Sequence, residues 1–533
     1  MGKKKFRAYD PQARVELAGD LRQYLPRDHQ VFLIEDLVES LDLTPITSVY
    51  ERGDGRGQPP YHPVLLIKLL LHAYCEGETS SRTIMRKTYE DIGYRVLCVD
   101  QHPDFRTISD FRERHLAAFL VLLKETVRLA KALGQVRLEH VAQDGSKILA
   151  NASKHKAMSY ERMGQTEARL GQEIAAILEQ AQRTDTAEDA RYGRAGSGDE
   201  APTALAREVD FRQARRARIR AAQAALTARA AAEAVAQAPG DPEQRQPPHL
   251  VEEEPPTRAS EDSPPTVPPR LTLLSEAPAG VPEDQADALP AAAPAPTAQY
   301  NFTDPDSRIM PSKDGFIQAY NGQVAVDSYR QIMVACDVTD DCTDPRQLQP
   351  LLDQIRQHTG DLPGAYSADS GYWSDENVSA LERRGIDAYI PPPRPRRRTD
   401  GTISTTPPTP GKARMQDKLA TPQGKRTYSL RKETAEPVFG QMKDGRGLRR
   451  FRLRGLVKVR GEWALWCLTH NLRKLAGVLR GQRIAARPAL PCRARDRARL
   501  PWVPGTPLLG RNTPCPRQND LFSHPVLLIQ TGS

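Results

Sequence analysis

This sequence of 533 residues contains few cysteines and no long apolar run. The seven cysteines are scattered and include no Cys-x-x-Cys pair, which argues against a disulfide framework and a zinc site and fits the reducing cytoplasm. The first ten residues, MGKKKFRAYD, are basic without an apolar stretch behind them, so we expect no signal peptide. The longest apolar run, PVLLIKLLLHAYC at 63–75, is shorter than the roughly 20 residues that a bilayer requires. We therefore expect a buried helix there and no membrane partner.

Positive charge and proline, in contrast, are plentiful. The chain has 76 Lys and Arg against 67 Asp and Glu, a net charge of +9. Such a surplus favours a polyanionic partner, nucleic acid first and a membrane surface second, although many basic proteins bind nothing specific. No basic amphipathic helix with bulky apolar residues stands out, which makes the membrane surface a remote choice. Residues 411–460 hold 15 Lys or Arg and only four acids, so the positive charge is concentrated there.

The length predicts two or three domains, the first of them an all-helical region at 1–133. Thr107 and Asp110 have capping-box spacing and predict a helix that starts near Thr107, while 119–134 has helical periodicity and ends at Gly134. Short helices rich in arginine are compatible with a helix-turn-helix-like DNA binder. A helical bundle with a solvated basic face is equally compatible. The arginines concerned are Arg82, Arg86, Arg106, Arg112 and Arg114.

Three further segments differ in composition from the rest of the chain. Residues 158–238 are rich in Ala, Arg, Glu and Gln with few large apolar residues, which predicts a long helical hairpin or coiled coil with a thin seam. Residues 239–298 contain 15 prolines and no aromatic residue, so we predict a disordered linker. The last segment, 478–533, predicts a poorly ordered basic tail.

The remaining segments, 134–157 and 299–477, predict an α/β domain with a mixed five-stranded sheet and flanking helices. The first strand runs through about Asp144. Two antiparallel strands follow around the turn DSYR at 327–330, although Asn321-Gly322 is an alternative hairpin turn. A fourth strand ends at Asp369, and a fifth precedes a basic loop. The chain continues with a helix through Glu436 and two helices within 456–477.

Three carboxylates stand at significant places in this order. Asp144 lies on the first strand, Asp369 lies at the carboxyl end of the fourth, and Glu436 lies on the helix after the fifth. Each also has a structural explanation: Asp144 as a turn residue before glycine, Asp369 as an N-cap, and Glu436 as an ion-pair partner of Lys432. Glu433, one helical turn from Glu436, is the nearest rival for the third position.

The motifs around these acids resemble the DDE transposases of bacterial insertion sequences. The relevant stretches are DGSKILANASKHKAM, YSADSGYWSDEN and RKETAEPVFGQMK, and the similarity extends to PPYHPVLLIKLLLHAY and FRTISDFRERH in the N-terminal region. The resemblance implies an RNase H-like catalytic domain. It also implies that Asp144 bridges two Mg²⁺ ions, for which Mn²⁺ can substitute, while Asp369 and Glu436 each hold one. Many enzymes use two such ions to stabilise phosphodiester transfer.

The same family carries a tyrosine–arginine–glutamate–lysine signature on one helix. Lys443 follows Glu436 by seven residues, which is two helical turns, so both side chains lie on one face of the helix. The resemblance implies that this lysine binds a phosphate. The other half of the signature is shifted by one place in this sequence, and the resemblance implies Arg431, Lys432 and Tyr428 as further DNA contacts. Trp373 is either a base-stacking residue or, more simply, a core aromatic.

The resemblance implies a transposase that cuts and joins the ends of its insertion sequence, with double-stranded element and target DNA as partners. Arg112 and Arg114 join the expected DNA contacts through the N-terminal helices. Paired ends imply paired subunits, hence a homodimer on DNA, in a bacterial cytoplasm at the nucleoid. Two alternatives remain open: a nuclease of the same fold without strand transfer, and an inactive, transposase-derived DNA-binding repressor.

Overall fold

The computed structural model describes residues 19–50, 60–192, 202–237, 293–313, 315–394 and 409–485. In these ranges the chain is mainly helical, with 14 α-helices and eight strands. The helices are α1 Gln30–Glu39, α2 Thr44–Thr47, α3 Pro63–Glu76, α4 Ser81–Glu90, α5 Ile92–Leu97, α6 Phe105–Arg114, α7 Leu116–Ala132, α8 Tyr160–Tyr192, α9 Pro202–Gln237, α10 Leu348–Thr359, α11 Asp375–Arg383, α12 Pro410–Ala420, α13 Pro422–Lys443 and α14 Leu456–Ala485. The strands are β1 His140–Leu149, β2 Ala157–Ser159, β3 Gln299–Asn301, β4 Arg308–Ser312, β5 Gly315–Asp327, β6 Met333–Thr339, β7 Ala365–Ser367 and β8 Asp387–Tyr389.

Helix α3 confirms the buried helix predicted from its apolar run. Pro63 occupies the first turn, where its missing N–H costs nothing, and almost every later residue of the helix is buried. The helix stops at Gly77, whose φ of +84° suits glycine. A β-carbon on Gly77 would lie 2.3 Å from the backbone oxygen of Arg446, so glycine is also required for the close approach of that loop.

Helix α6 begins two residues earlier than its predicted start near Thr107. Asp104, not Thr107, is the N-cap, and its carboxylate accepts a hydrogen bond of 2.8 Å from the backbone N–H of Arg106. The prediction was wrong because Asp104 satisfies the free N–H groups of the first turn, leaving Thr107 inside the helix. The next helix, α7, ends as predicted before Gly134, which has a φ of +68°.

The central sheet is mixed, as predicted, but within the described residues it has six strands instead of five. Strand β5 lies between β1 on one side and both β4 and β6 on the other, and all three pair with it antiparallel. On its far side β1 pairs parallel with β7, and β7 pairs parallel with β8. The additional strand β4 contains Pro311, and it pairs only with β5, an edge position that tolerates proline.

Several element boundaries differ from the prediction. Strand β1 continues past Asp144 to Leu149, because its entire second half pairs with the long β5. Asn321 and Gly322 lie inside β5 and form no hairpin turn, so that alternative was wrong. The turn at 327–330 is present. A single helix, α14, replaces the two helices predicted within 456–477 and includes the first residues of the predicted tail. Helix α12 was not predicted at all.

The predicted helical hairpin within 158–238 is present as α8 and α9. Its seam is thin, and a pair of arginines, Arg216 and Arg220, donates to Glu167 across it at 2.6 and 2.9 Å. The buried seam residues are Met163, Leu170, Ile219, Ala222 and Leu226. The short pair β2–β3 forms the stem from which this hairpin leaves the sheet. Residues 239–292 of the predicted linker and 486–533 of the predicted tail lie outside the described residues.

One hydrophobic core joins the N-terminal helices to the sheet. Helix α14 is central to it, since Trp463 and Trp466 are fully buried and the ring of Trp466 lies 5.4 Å from that of Tyr74 on α3. The Nε1 of Trp463 donates to the backbone oxygen of Gln323 on β5 at 3.1 Å. The helical region therefore packs directly against the layer that holds the sheet. No helix in the described ranges is long and apolar enough to cross a membrane.

Candidate active site

Asp144 lies in the middle of β1, opposite Val324 of β5. Its side chain is only 16% exposed, and one carboxylate oxygen accepts from the backbone N–H of Gly145 at 3.0 Å. Burial, with added repulsion from Asp369 and Glu436, raises the pKa of Asp144 to about 6, although Arg431 and the Gly145 hydrogen bond act in the opposite direction. The contributions of Asp369 and Glu436 indicate that both acids lie near this strand position.

Asp369 follows β7, the parallel neighbour of β1, by two residues. It is the N-cap of a short 3₁₀ turn at Ser370–Tyr372 and accepts from the backbone N–H of Gly371 at 2.8 Å. The structural explanation given for this residue, an N-cap, is therefore correct. The cap uses one carboxylate oxygen, Oδ1, and leaves Oδ2 for a ligand. Parallel strands end at the same edge of a sheet, and this explains why Asp369 acts electrostatically on Asp144.

Glu436 reaches the site from α13, a helix that packs against β1 and β5. The next residue, Pro437, has no N–H, so the backbone oxygen of Glu433 lacks its helical donor. The side-chain amide of Gln331 supplies that bond instead, at 2.8 Å, and so ties this turn of the helix to the β5–β6 connection. This contact helps to fix the helix position from which the Glu436 side chain extends.

Arg431 lies between the acids. Its guanidinium is 3.5 Å from the Oδ2 of Asp144 and 3.1 Å from the Oε1 of Glu436. Burial alone would lower the pKa of Arg431, but attraction to Asp144, Glu436 and Asp369 helps to raise it. The ion pair predicted between Glu436 and Lys432 was thus wrong in its partner, because Lys432 is exposed and Arg431 takes that role. One cation therefore interacts with all three acids predicted from the sequence.

Lys443, two turns after Glu436, is anchored on β1 beside the site. Its Nζ donates to the Oγ of Ser146 at 2.5 Å and to the backbone oxygen of Lys147 at 3.3 Å. Burial lowers the pKa of Lys443. Tyr428 lies on the same helix, with its ring centre 5.9 Å from the guanidinium carbon of Arg431.

Arg112 and Arg114, the two other predicted DNA contacts, differ in their exposure. Arg112 is buried, and its guanidinium donates to the backbone oxygen of Thr79 at 2.7 Å and to the Tyr74 hydroxyl at 3.2 Å. These bonds hold the guanidinium inside the helical region, which argues against the DNA contact predicted for it. Arg114 is exposed. Trp373 is 8% exposed and belongs to the main core, in agreement with the simpler of its two interpretations.

A polar network behind the acids was missed from the sequence. Asp344 follows β6, and its carboxylate accepts from the side-chain amides of Asn321 and Gln323 on β5, both at 2.8 Å. The hydroxyl of Tyr372 donates to the other end of the Gln323 amide. Asp344 precedes a short 3₁₀ turn at Pro345–Gln347, but its side chain makes no cap bond there. The alternation of Asn321 and Gln323 along one strand face was the signal available.

Asp344 adds a fourth acid near the site. A β-carbon placed on Gly371 would lie 2.9 Å from the Oδ1 of Asp369 and 3.1 Å from the Oδ2 of Asp344, so both carboxylates face the position that a side chain at residue 371 would occupy. Gly145 is equally confined, since its β-carbon would lie 2.5 Å from the side-chain nitrogen of Gln323. The backbone at both glycines is thus packed against the polar network.

The donor chemistry of these acids suits a hard divalent cation. Carboxylate oxygens are the ligands that Mg²⁺ prefers, and it commonly uses one or two of them together with phosphate oxygens and water. Burial is the main cause of the raised pKa of Asp144, and a bound cation beside this carboxylate would favour its ionised form. Among the described residues, no three His, Cys, Asp or Glu side chains are already arranged to hold a metal ion. In this arrangement the guanidinium of Arg431 is the cation between Asp144 and Glu436.

Comparison with protein families gives two matches. A transposase DDE domain matches residues 395–476, which include α13 and most of α14. A second transposase domain, DUF772, matches residues 19–114, which include the N-terminal helices. Searches of curated proteins and of solved structures found no match. Both families are transposase families, and the DDE family implies dependence on a divalent metal and an enzyme acting on DNA. Together the two matches indicate an insertion-sequence DDE transposase.

Proposed function

We propose that this protein is a metal-dependent DNA transposase that cuts and joins the ends of its own insertion sequence. The observation that carries the proposal is the grouping of Asp144, Asp369 and Glu436 around Arg431. They come from a strand, a loop and a helix that are far apart in the sequence. The sheet order supports an RNase H-like fold for this domain, with β5 and β6 antiparallel to β1 or to each other and with β7 and β8 parallel to it.

The reaction has two chemical steps. In the first, water attacks the phosphorus at an element end and the P–O3′ bond breaks, which leaves a 3′-hydroxyl and a 5′-phosphate. In the second, that 3′-hydroxyl loses its proton and attacks a phosphodiester of the target DNA. A new P–O bond forms, and the displaced target 3′-oxygen takes up a proton. No external oxidant or energy source is required.

Asp144, Asp369 and Glu436 would hold two Mg²⁺ ions, for which Mn²⁺ could substitute. When bound, such ions activate the attacking oxygen and stabilise the charge on the phosphate. The chain itself supplies Lys443, held on β1 beside Asp144, as the group that binds the reacting phosphate. Arg431 moves away from Asp144 and Glu436 and pairs with DNA phosphate instead, with Lys432 and Tyr428 as neighbouring contacts.

The proposed test uses the full chain and labelled duplexes that carry the inverted repeats flanking its reading frame. With Mg²⁺, the wild-type protein should cut at the repeat end, and Asp369→Asn should reduce the rate by several orders of magnitude. Asp375→Asn, an exposed aspartate six residues further on, is the matched control and should cut normally. Equal cutting by the wild type and Asp369→Asn would remove the catalytic assignment.

The same assay separates the alternatives. Products joined to target DNA support transposition. Cutting without joined products favours a nuclease of the same fold. Binding to the repeat without any metal-dependent cutting favours a repressor derived from a transposase. The domain division at 1–133, 134–157 with 299–477, and the inserted segment between them belongs to this proposal, as does a homodimer on DNA.

A further inference from the structure

A basic groove lies at the carboxyl end of β1, beyond the acids. Its volume is about 570 Å³, and it is bounded by the end of β1, the start of β5 and the loop between α13 and α14. Four cationic side chains line it, and none of the described residues that line it is an acid. The four cations are Lys154, Lys156, Arg450 and Arg454.

The four cations are all exposed, and none pairs with a carboxylate of the described chain. Other arginines of the described ranges do have an acidic partner, as in the pairs Arg308–Asp340 and Arg460–Asp337. Arg454 donates only to the backbone oxygen of Asn151, at 2.9 Å. A solvated basic face remains the simplest explanation of any single lysine, but four unpaired cations converging on one concave surface suit a polyanion.

The groove and the candidate active site share strand β1. Strand β1 carries Asp144 in its middle and Leu149, which lines the groove, at its end. Five residues of strand span about 17 Å, which is the length of about five nucleotides along one DNA strand. Lys443 lies between the two, on Ser146 and Lys147. Cations therefore follow β1 from the acids to the groove.

An exposed aromatic ring completes the surface. Phe316, at the start of β5, is 70% exposed and lines the groove beside the cations. A large apolar side chain that stays in water at such a place suits contact with sugars and base edges of the minor groove. The structural alternative, burial in the core, does not apply to a ring with this exposure.

We infer that this groove binds the duplex DNA backbone about five nucleotides from the bond that is cut. The inference rests on the proposed function, which it deepens by naming a second contact region for the same DNA. Lys154, Lys156, Arg450 and Arg454 contact phosphates, and Phe316 contacts the minor groove. The sequence KHK at 154–156, which follows the first catalytic motif, thereby acquires a role.

The test compares the salt dependence of binding to an element-end duplex. In the quadruple variant Lys154→Gln, Lys156→Gln, Arg450→Gln, Arg454→Gln, the slope of log K against log salt should fall in magnitude by about 3 to 4, because each lost phosphate contact removes about 0.9. Phosphate-ethylation interference about five nucleotides from the cut should also disappear. Phe316→Ala should weaken binding at every salt concentration without changing the slope.

A matched control is Arg356→Gln with Arg383→Gln, two exposed arginines on α10 and α11 outside the groove. This pair should leave the interference pattern unchanged. If the wild type binds and cuts the duplex but the quadruple variant keeps the same slope and interference pattern, the groove assignment is wrong and the proposed function stands. If the wild type neither binds nor cuts the duplex, both are wrong.

Discussion

Replacing Asp144 by asparagine should make the metal-free protein more stable at pH 8, although it should abolish activity. Asn has nearly the shape of the protonated acid, so the variant reports the free-energy cost of keeping this carboxylate ionised in the fold. That cost arises from burial and from the neighbouring charges of Asp369 and Glu436, only partly offset by Arg431.

The magnitude follows from the pKa of Asp144, which rises from 3.8 to about 6 on folding. Below pH 3.8 the group is protonated in both the folded and unfolded chain and contributes nothing. Between the two values the unfolded chain loses the proton and the folded chain keeps it, so stability falls as pH rises. Above pH 6 the penalty is complete and amounts to about 3 kcal/mol, since one pKa unit is worth about 1.36 kcal/mol.

The assay is urea unfolding of the full chain in a chelating buffer, at pH 4 and pH 8. The Asp144→Asn variant should exceed the wild type by at most about 3 kcal/mol at pH 8 and match it closely at pH 4. Asp417→Asn, an exposed aspartate on α12, is the control and should shift stability little at either pH. A variant no more stable than the wild type at pH 8 would refute the electrostatic reasoning.

Three further outcomes are expected. Arg431→Gln should increase the affinity for Mg²⁺ by about tenfold in calorimetry, because it removes a positive charge from among the acids; weaker binding would contradict this. Tyr372→Phe should lower the free energy of unfolding by about 1–2 kcal/mol, since it takes a donor from the buried Gln323 amide, and an unchanged value would exclude that bond. Gly461→Ala should cost about 1–3 kcal/mol, because its β-carbon would lie 2.5 Å from the β-carbon of Leu116. Gly481→Ala, with open space around it, should be neutral or stabilising, and equal losses in the two variants would refute the packing argument.

The sequence predicted the order of the elements better than their ends. Apolar runs and the glycines that follow them predicted α3 and α7 correctly, because burial and a positive φ both restrict the residue types at those positions. The predicted first strand ended at about Asp144, because Asp-Gly is a common turn signal. Its continuation depends on pairing with β5, a partner far away in the chain, which local residue types do not encode.

The candidate site likewise combines features that the sequence predicted with features that depend on packing between distant segments. The three acids were predicted from motif order, but Arg431 between them and Asp344 behind them depend on how α13 and the β6–α10 connection pack. Arg112 was misjudged because arginine is usually exposed. Its burial follows from the carbonyl of Thr79 and the hydroxyl of Tyr74, which only the folded chain brings together.

The stem formed by β2 and β3 has a consequence for how this gene can change. Ala157 pairs with Asn301 and Ser159 with Gln299, so the chain leaves the α/β region and returns to it along two paired strands. The entropy cost of closing a loop between two fixed ends increases only slowly with the length of the loop. The segment between β2 and β3 can therefore become longer or shorter, or be replaced by a reporter domain, while β2 and β3 keep their positions.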